Sequence, residues 1–177
     1  MTRSAKALAT VGAGVVVLAL LGGTFDLGGY RVNLTPSYPL GLWQVEPLDR
    51  TATVGDRVFI CLPSGPAVEL ARERGYLPGG LCPAGAAPLI KTIVAMSGQV
   101  IRIDDQVVID GIPLASSRVV WRDGEGRRMA PWTGGPVPAG EVFLHSDFAA
   151  SYDSRYFGPV PTTGILGLAQ EILTFTP

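Results

Sequence analysis

The chain has 177 residues, of which 47% are hydrophobic and 16% charged, and its formal net charge is −1. The length predicts one domain with a sizeable core. The near-neutral charge argues against nucleic acid or another strongly charged partner. The low share of charged residues indicates a membrane segment.

An uncharged stretch, residues 7–23, follows a short basic N-terminus. Its length is at the short end for crossing a bilayer, and it fits either a cleaved signal peptide or a retained anchor. Residues 21–25 match a small-x-small cleavage site poorly, which favours the anchor. Because the basic residues precede the stretch, we expect residues 1–6 in the cytoplasm and residues 24–177 exported as one domain. The expected location is the inner membrane, crossed once.

The two cysteines, Cys61 and Cys82, lie in a Pro- and Gly-rich stretch without a C-x-x-C pair or a nearby histidine. Their spacing does not indicate a metal site, and no cofactor is expected. In an oxidising compartment they would form a disulfide, worth about 3 kcal/mol in the chain-entropy model. The alternative is two unrelated buried thiols. A short helix is predicted at residues 64–75, within this loop, with Pro66 in its first turn and Gly75 as its C-terminal cap.

From residue 33 onward the chain is mostly extended, because short apolar or alternating runs are separated by turn residues. Strands are predicted at residues 41–45, 56–61, 89–96, 100–104, 107–110, 141–145 and 165–174. The Asp110-Gly111 pair is a strong turn signal. The predicted class is therefore mainly β, mixed and barrel-like, with one anchor helix and one short helix in the disulfide-closed loop.

Residues 118–140 are rich in Gly, Pro, Arg and Trp and predict an irregular excursion from the sheet. Trp121 and Trp132 are of the type found at membrane interfaces. We expect this segment to dock substrate or to contact the membrane, and the sequence does not choose between these roles.

Several common catalytic motifs are absent from the sequence, including H-E-x-x-H, G-x-S-x-G, the P-loop and S-x-x-K. Lys91 is one of two lysines against twelve arginines, and apolar residues flank it. Burial would lower its pKa, so that a neutral amine could accept a proton from a serine near pH 7. The alternative is an edge-strand lysine whose amine reaches solvent.

Ser37 is the candidate nucleophile for this lysine. Pro36, Pro39 and Gly41 predict a rigid, non-helical turn that presents its hydroxyl together with a backbone N–H. A serine between prolines is usually only a turn residue, so this segment alone does not identify a site.

Three segments together resemble the sequence boxes of type I signal peptidases. Residues 35–41 resemble the nucleophile box, residues 89–94 the lysine box, and residues 151–160 the C-terminal S-x-D-S-R-x-x-G box. Residues 74–83 resemble the conjugative-transfer branch, the TraF-type serine peptidases. The resemblance implies a signal-peptidase/LexA-like mixed β fold. It also implies an endopeptidase that removes leader peptides from exported precursors such as conjugative pilins, with pilin cyclisation left open.

The resemblance assigns roles to individual residues. It implies Ser37 as nucleophile and Lys91 as general base. It implies that the Thr35 hydroxyl and the Ser37 N–H stabilise the oxyanion. Ser151 matches a serine that orients the lysine amine.

Asp153 and Arg155 match an ion pair that holds the loop of the site, and Asp153 is a candidate third catalytic member in the conjugative branch. The chain departs from the family pattern at residues 146–148, where Ser-Asp-Phe replaces Gly-Asp-Asn, and at Tyr38, where Met is common. Tyr38 is expected to alter the pocket for the residue before the cut. The implied partners are the bilayer and a precursor protein with small residues at −1 and −3.

Other functions fit parts of the sequence. A serine–histidine site would join Ser37 or Ser146 to His145 and Asp147, although neighbouring residues of a strand point in opposite directions. A LexA-like self-cleaving peptidase would share the Ser-Lys pair but not the apolar N-terminus. A non-catalytic anchored β scaffold of a conjugation or secretion apparatus would be expected to lose Ser37 or Lys91.

Overall fold

The computed structural model describes residues 28–176. The expected cytoplasmic segment and anchor, residues 1–6 and 7–23, lie outside the described residues. Within residues 28–176 no helix combines the length and apolar character needed to cross a membrane. This part of the chain is mainly β, as predicted.

Eleven strands and two short α-helices follow one another in the described part of the chain. In chain order they are β1 Tyr30–Asn33, β2 Leu40–Glu46, β3 Arg57–Ile60, α1 Pro66–Glu73, β4 Leu89–Met96, β5 Val100–Ile103, β6 Val107–Ile109, β7 Ile112–Pro113, β8 Gly135–Pro136, β9 Glu141–His145, α2 Ser154–Phe157, β10 Val160–Pro161 and β11 Ile165–Phe175. The seven predicted strands and the predicted helix are all present, with ends that differ by at most two residues. Strands β1, β7, β8 and β10 and helix α2 were not predicted.

The strands form two antiparallel sheets. The seven-stranded sheet has the order β1-β2-β11-β3-β4-β9-β10, and the four-stranded sheet has the order β7-β6-β5-β8. Strand β4 pairs with β3 on one side and β9 on the other. Lys91 therefore lies in an interior strand, which rules out the edge-strand interpretation of this lysine.

Alternation along β4 determines which side chains share a face with Lys91. Lys91 is paired with Val58 of β3, and Ile93, two residues on, faces the same side. Val58 and Ile93 belong to the largest hydrophobic cluster, which α1 covers with Val68 and Ala71. The lysine is therefore carried on the core face of the sheet.

The Cys61–Cys82 disulfide is present, with a Cα–Cα distance of 5.5 Å, and α1 lies within its loop. Pro66 is the first residue of α1, as predicted. Gly75 has φ +74°, and the N–H of Tyr76 donates to Ala71 O at 2.8 Å. This is a Schellman cap, for which glycine is the favoured residue.

The excursion at residues 118–140 returns to the body of the protein at Trp132. The Trp132 ring centroid lies 6.0 Å from that of Phe143 in the second core cluster, and a Cβ added at Gly158 would lie 2.9 Å from the indole. Trp132 is therefore half-buried against the second core cluster, and its expected interfacial role stays a prediction. Trp121 remains 48% exposed.

Candidate active site

Ser37 lies on the turn between β1 and β2, which Asn33 holds together from within. The Asn33 amide nitrogen donates to the carbonyls of Thr35 at 2.9 Å, Tyr38 at 3.0 Å and Pro39 at 3.0 Å. Its Oδ1 accepts from the N–H and the hydroxyl of Thr35. This role of Asn33 was not predicted from the sequence, although Asn is a known turn former and here precedes a Pro-rich turn.

The Thr35 hydroxyl faces the cleft but is already engaged in this turn. It lines the cleft and donates to Asn33 Oδ1 at 2.8 Å. A hydroxyl has one proton to donate, so stabilising an oxyanion would require the Thr35 hydroxyl to rotate away from Asn33.

Lys91 is 3% exposed and lies against the same cleft as Ser37. Burial lowers the pKa of Lys91 from its usual 10.5 to about 8; the charge of Asp153 raises it in part, and the charge of Arg155 lowers it further. Within residues 28–176 no hydrogen bond links the Lys91 amine to another residue. A sizeable neutral fraction of this amine is thus available slightly above pH 7.

Ser151 is the residue that contacts the candidate nucleophile. The Ser37 hydroxyl donates to Ser151 Oγ at 3.4 Å, across 114 residues of sequence. Among the described residues, no hydrogen bond joins Ser37 Oγ directly to Lys91 Nζ. The structure thus places Ser151 in contact with Ser37, whereas the resemblance implied contact between Ser151 and Lys91.

Asp153 and Arg155 form a bidentate ion pair, and both are fully buried. Arg155 Nε donates to Asp153 Oδ1 at 2.8 Å and Nη2 donates to Oδ2 at 2.9 Å. Arg155 also donates to the carbonyls of Ser151 and Arg118. Burial alone would raise the pKa of Asp153, but nearby His145 and the Arg155 guanidinium together hold it below its usual range.

Ser146 connects this ion pair to the nucleophile, a role that the sequence analysis did not foresee. Its hydroxyl donates to the carbonyl oxygen of Ser37 at 2.6 Å, and its N–H donates to Asp153 Oδ2 at 3.2 Å. The only signal in the sequence was that Ser146 stands where the family pattern has Gly. The fixed position of the Ser37 backbone therefore depends on a residue 109 positions later.

The serine–histidine alternative is not supported by the geometry. His145 is buried, its Nδ1 lies 3.4 Å from Asp153 Oδ2, and neither ring nitrogen has a hydrogen-bond partner in the described structure. The Ser146 hydroxyl is used on the Ser37 carbonyl, and Asp147 is 87% exposed. His145 therefore activates neither serine in this arrangement.

Tyr38 follows the candidate nucleophile but is not among the residues that line the cleft. Its hydroxyl lies 2.7 Å from Thr92 Oγ1 and donates to the His145 carbonyl at 3.2 Å, while its ring packs edge-on against Trp43. Tyr38 packs against the cluster that contains Phe59 and Ile90, two residues that line the cleft, so the effect of Tyr38 on the pocket for the residue before the cut stays a prediction.

The cleft has a volume of about 610 Å³, within the usual range for ligand sites. Four parts of the chain supply its walls: the nucleophile turn, the segment entering β4, the disulfide-closed loop with the excursion, and the segment around α2. Within residues 28–176 no cluster of three or more His, Cys, Asp or Glu residues could hold a metal ion. The cleft therefore presents the hydroxyl of Ser37 and the buried amine of Lys91.

Comparison with known proteins identifies the family of this chain. The family model described as signal peptidase, peptidase S26, matches residues 5–174. Over 166 residues the chain is 55% identical to the conjugal transfer protein TraF of Agrobacterium fabrum. This alignment covers 93% of this chain and 94% of the relative. Over 181 residues the chain is 33% identical to the plasmid transfer protein TraF of Escherichia coli. This alignment covers 99% of this chain and 100% of the relative.

Two further matches have lower coverage. The probable conjugal transfer protein TraF of Sinorhizobium fredii is 59% identical over 150 residues, or 85% of this chain and 80% of that protein. The crystal structure of a signal peptidase I from Enterococcus faecalis aligns with 18% identity and a TM-score of 0.39, over 67% of this chain and 97% of that chain.

Proposed function

Because the chain belongs to the signal peptidase family S26, we propose that it is a serine endopeptidase with Ser37 as nucleophile and Lys91 as general base. In this proposal it removes leader peptides from exported precursors such as conjugative pilins, in line with the conjugal transfer names of its relatives. Residues 7–23 would anchor it in the inner membrane, with residues 24–177 outside the cytoplasm.

The observation that carries the proposal is the burial of Lys91 in the wall of the open cleft that Ser37 also lines. A buried lysine is a poor choice for stability, because desolvation disfavours the ammonium form. Such groups gather at functional sites, where a depressed pKa produces a base near neutral pH. Arginine could not serve here, since its guanidinium stays protonated in proteins.

The proposed reaction follows from these positions. The neutral Lys91 amine takes the proton of Ser37 as Oγ attacks the scissile carbonyl, and the resulting ammonium returns that proton to the leaving amine. The same lysine then deprotonates the water that hydrolyses the acyl-enzyme. Before attack, the Ser37 side chain must turn from Ser151 toward Lys91, as catalytic hydrogen bonds often tighten only with substrate bound.

The Ser37 N–H and the Thr35 hydroxyl would stabilise the oxyanion, each removed donor costing roughly a hundredfold or more in rate. Asp153 is assigned a positioning role, because both of its carboxylate oxygens accept hydrogen bonds from Arg155 and one also accepts from the Ser146 N–H.

One observation favours a second candidate, a non-catalytic anchored scaffold of a conjugation or secretion apparatus. Within residues 28–176, Ser37 and Lys91 are not hydrogen-bonded to each other. A scaffold would bind precursors or other components without cutting them.

The full-length protein in detergent, incubated with a pilin-like precursor, distinguishes the two candidates. We expect cleavage by the wild type and a loss of at least about a thousandfold in Ser37→Ala and in Lys91→Met. Ser64→Ala, at an exposed serine, and Arg102→Met, at an exposed cation, serve as matched controls and should keep wild-type rates. Cleavage that survives Ser37→Ala, or precursor binding without cleavage by the wild type, would favour the scaffold.

A further inference from the structure

The cleft continues past the candidate dyad into a region with aromatic walls. The part of the cleft lined by Tyr76, Leu77, Val120, Met129, Tyr152 and Tyr156 is here named the aromatic subsite. It belongs to the same cleft that Ser37 and Lys91 line. Its residues come from the disulfide-closed loop, the excursion and the segment around α2, so it exists only in the folded chain.

Three tyrosine rings form a continuous surface in the aromatic subsite. The ring centroids of Tyr76 and Tyr152 are 5.3 Å apart, and those of Tyr152 and Tyr156 are 5.7 Å apart with planes only 4° from parallel. Such contacts lie within the range of favourable aromatic pairs. A bound side chain can therefore contact the carbon atoms of these rings without any rearrangement of the wall.

The polar ends of these tyrosines are already paired. The Tyr152 hydroxyl donates to Ala67 O at 3.0 Å, and the Tyr156 hydroxyl accepts from Val120 N–H at 3.0 Å. The Tyr76 hydroxyl donates to the carboxylate of Asp123. Because the hydroxyls are occupied, the subsite presents an apolar surface and no free donor for a polar side chain.

The subsite is held in an open shape by contacts between the disulfide-closed loop and the excursion. Asp123 accepts from Tyr76 and from Arg127 Nε, the latter at 2.6 Å. Arg74 Nη1 donates to Arg128 O at 2.9 Å, which adds a second link between the same segments. A preformed apolar pocket keeps more of the free energy of binding than one that must be ordered by its ligand.

We propose that the aromatic subsite binds one large apolar or aromatic side chain of the precursor, separate from the small residues expected beside the cut. This inference rests on the proposed peptidase function and adds a specificity element to it. A small residue would leave the aromatic walls in contact with water, whereas a Phe or Leu side chain would cover them.

The test is a phenylalanine scan of a precursor peptide, cleaved by the full-length protein in detergent. The parent peptide has alanine at positions −6 to +5, and Phe replaces one alanine at a time, except at −1 and −3. We expect one position where Phe raises kcat/KM by at least about tenfold over the parent. Cleavage without a preferred position would overturn the proposal while leaving the peptidase function intact.

Met129→Trp tests whether that preference belongs to the aromatic subsite. The larger ring would fill the subsite, so the ratio of kcat/KM for the Phe peptide to that for the parent should fall close to one. Trp121→Ala is the matched control, because Trp121 accepts the backbone hydrogen bond of Met129, is 48% exposed and does not line the cleft. An unchanged ratio in Met129→Trp would contradict the proposal.

If the wild type cleaves no peptide, the proposed peptidase function is contradicted. A binding experiment then tests the aromatic subsite independently of cleavage. Ser37→Ala would be irradiated with the same peptides carrying p-benzoylphenylalanine in place of Phe, and the adducts located by mass spectrometry. Adducts at Met129 or the three tyrosines would support the subsite, and adducts confined to other residues would overturn it.

Discussion

Lys91 is a titratable group whose burial should set the pH dependence of catalysis. Its pKa is lowered to about 8, chiefly by burial, so below that pH most of the amine is protonated and cannot act as a base. We predict that kcat/KM rises about tenfold per pH unit between pH 6 and 7.5 and levels off above pH 8. A rate profile from pH 6 to 10 checks this, and a rising limb that continues to pH 10 would contradict it.

The same burial should make Lys91 a cost to stability. The folded pKa of about 8 lies below the usual 10.5, so between these values the unfolded chain binds more protons and stability rises with pH. Below pH 8 the penalty is fully present, at roughly 3 kcal/mol. We predict that Lys91→Met raises the melting temperature by several degrees at pH 7 and that this gain shrinks toward pH 10. Arg102→Met, at an exposed cation, should show neither effect, and a Lys91→Met protein that melts lower at pH 7 would refute the argument.

Ser146 should affect the rate through the position of Ser37. Removing its hydroxyl frees the Ser37 carbonyl that it holds at 2.6 Å, so the nucleophile loses its fixed position. We predict that Ser146→Ala lowers kcat by about ten- to a hundredfold with KM nearly unchanged. Steady-state kinetics beside Ser64→Ala provide the measurement. A rise in KM with normal kcat would assign Ser146 to substrate binding instead.

At the scale of elements, the disulfide-closed loop links stability to substrate binding. Cys61 and Cys82 close the loop that carries α1 and the cleft residues Tyr76 and Leu77. We predict that Cys61→Ala/Cys82→Ala loses about 3 kcal/mol of stability. KM should rise more than kcat falls, since the catalytic residues lie outside the loop. Denaturant unfolding and kinetics of the double variant check both parts, and an unchanged KM would separate the loop from substrate binding.

Elements also differ in how well local sequence specified them. The bounds of β4 and β9 were predicted to the residue, since each is an apolar run ended by turn residues. The Asp110-Gly111 turn follows β6 as predicted, with both residues at positive φ. Strand β1 and helix α2 were missed, because β1 is defined by its pairing with β2 and α2 is a single turn capped by the buried Asp153.

At the scale of the whole molecule, the proposed topology places the cleft outside the cytoplasm. We predict that a reporter enzyme active only outside the cytoplasm works when fused after Pro177 and fails when fused before Met1. The physical reason is the basic N-terminus ahead of the apolar stretch at residues 7–23. Reporter activity from the N-terminal fusion alone would reverse the topology.

The amino-acid sequence by itself determined the features that depend on near neighbours. These are the mainly β class, the helix with its Gly75 cap and the long strands. Each rests on residue spacing over a few positions, where steric and burial preferences act directly. The order of the three boxes added the family.

Only the tertiary structure decided how distant residues meet. Strand order places Lys91 in the interior of a sheet, and the fold brings Ser151 and Ser146 to Ser37 across more than 100 residues. The aromatic walls of the cleft likewise come from separate segments. Local periodicity specifies which face of a strand is buried but not which strand lies beside it, so contacts of this kind follow from sheet order and register.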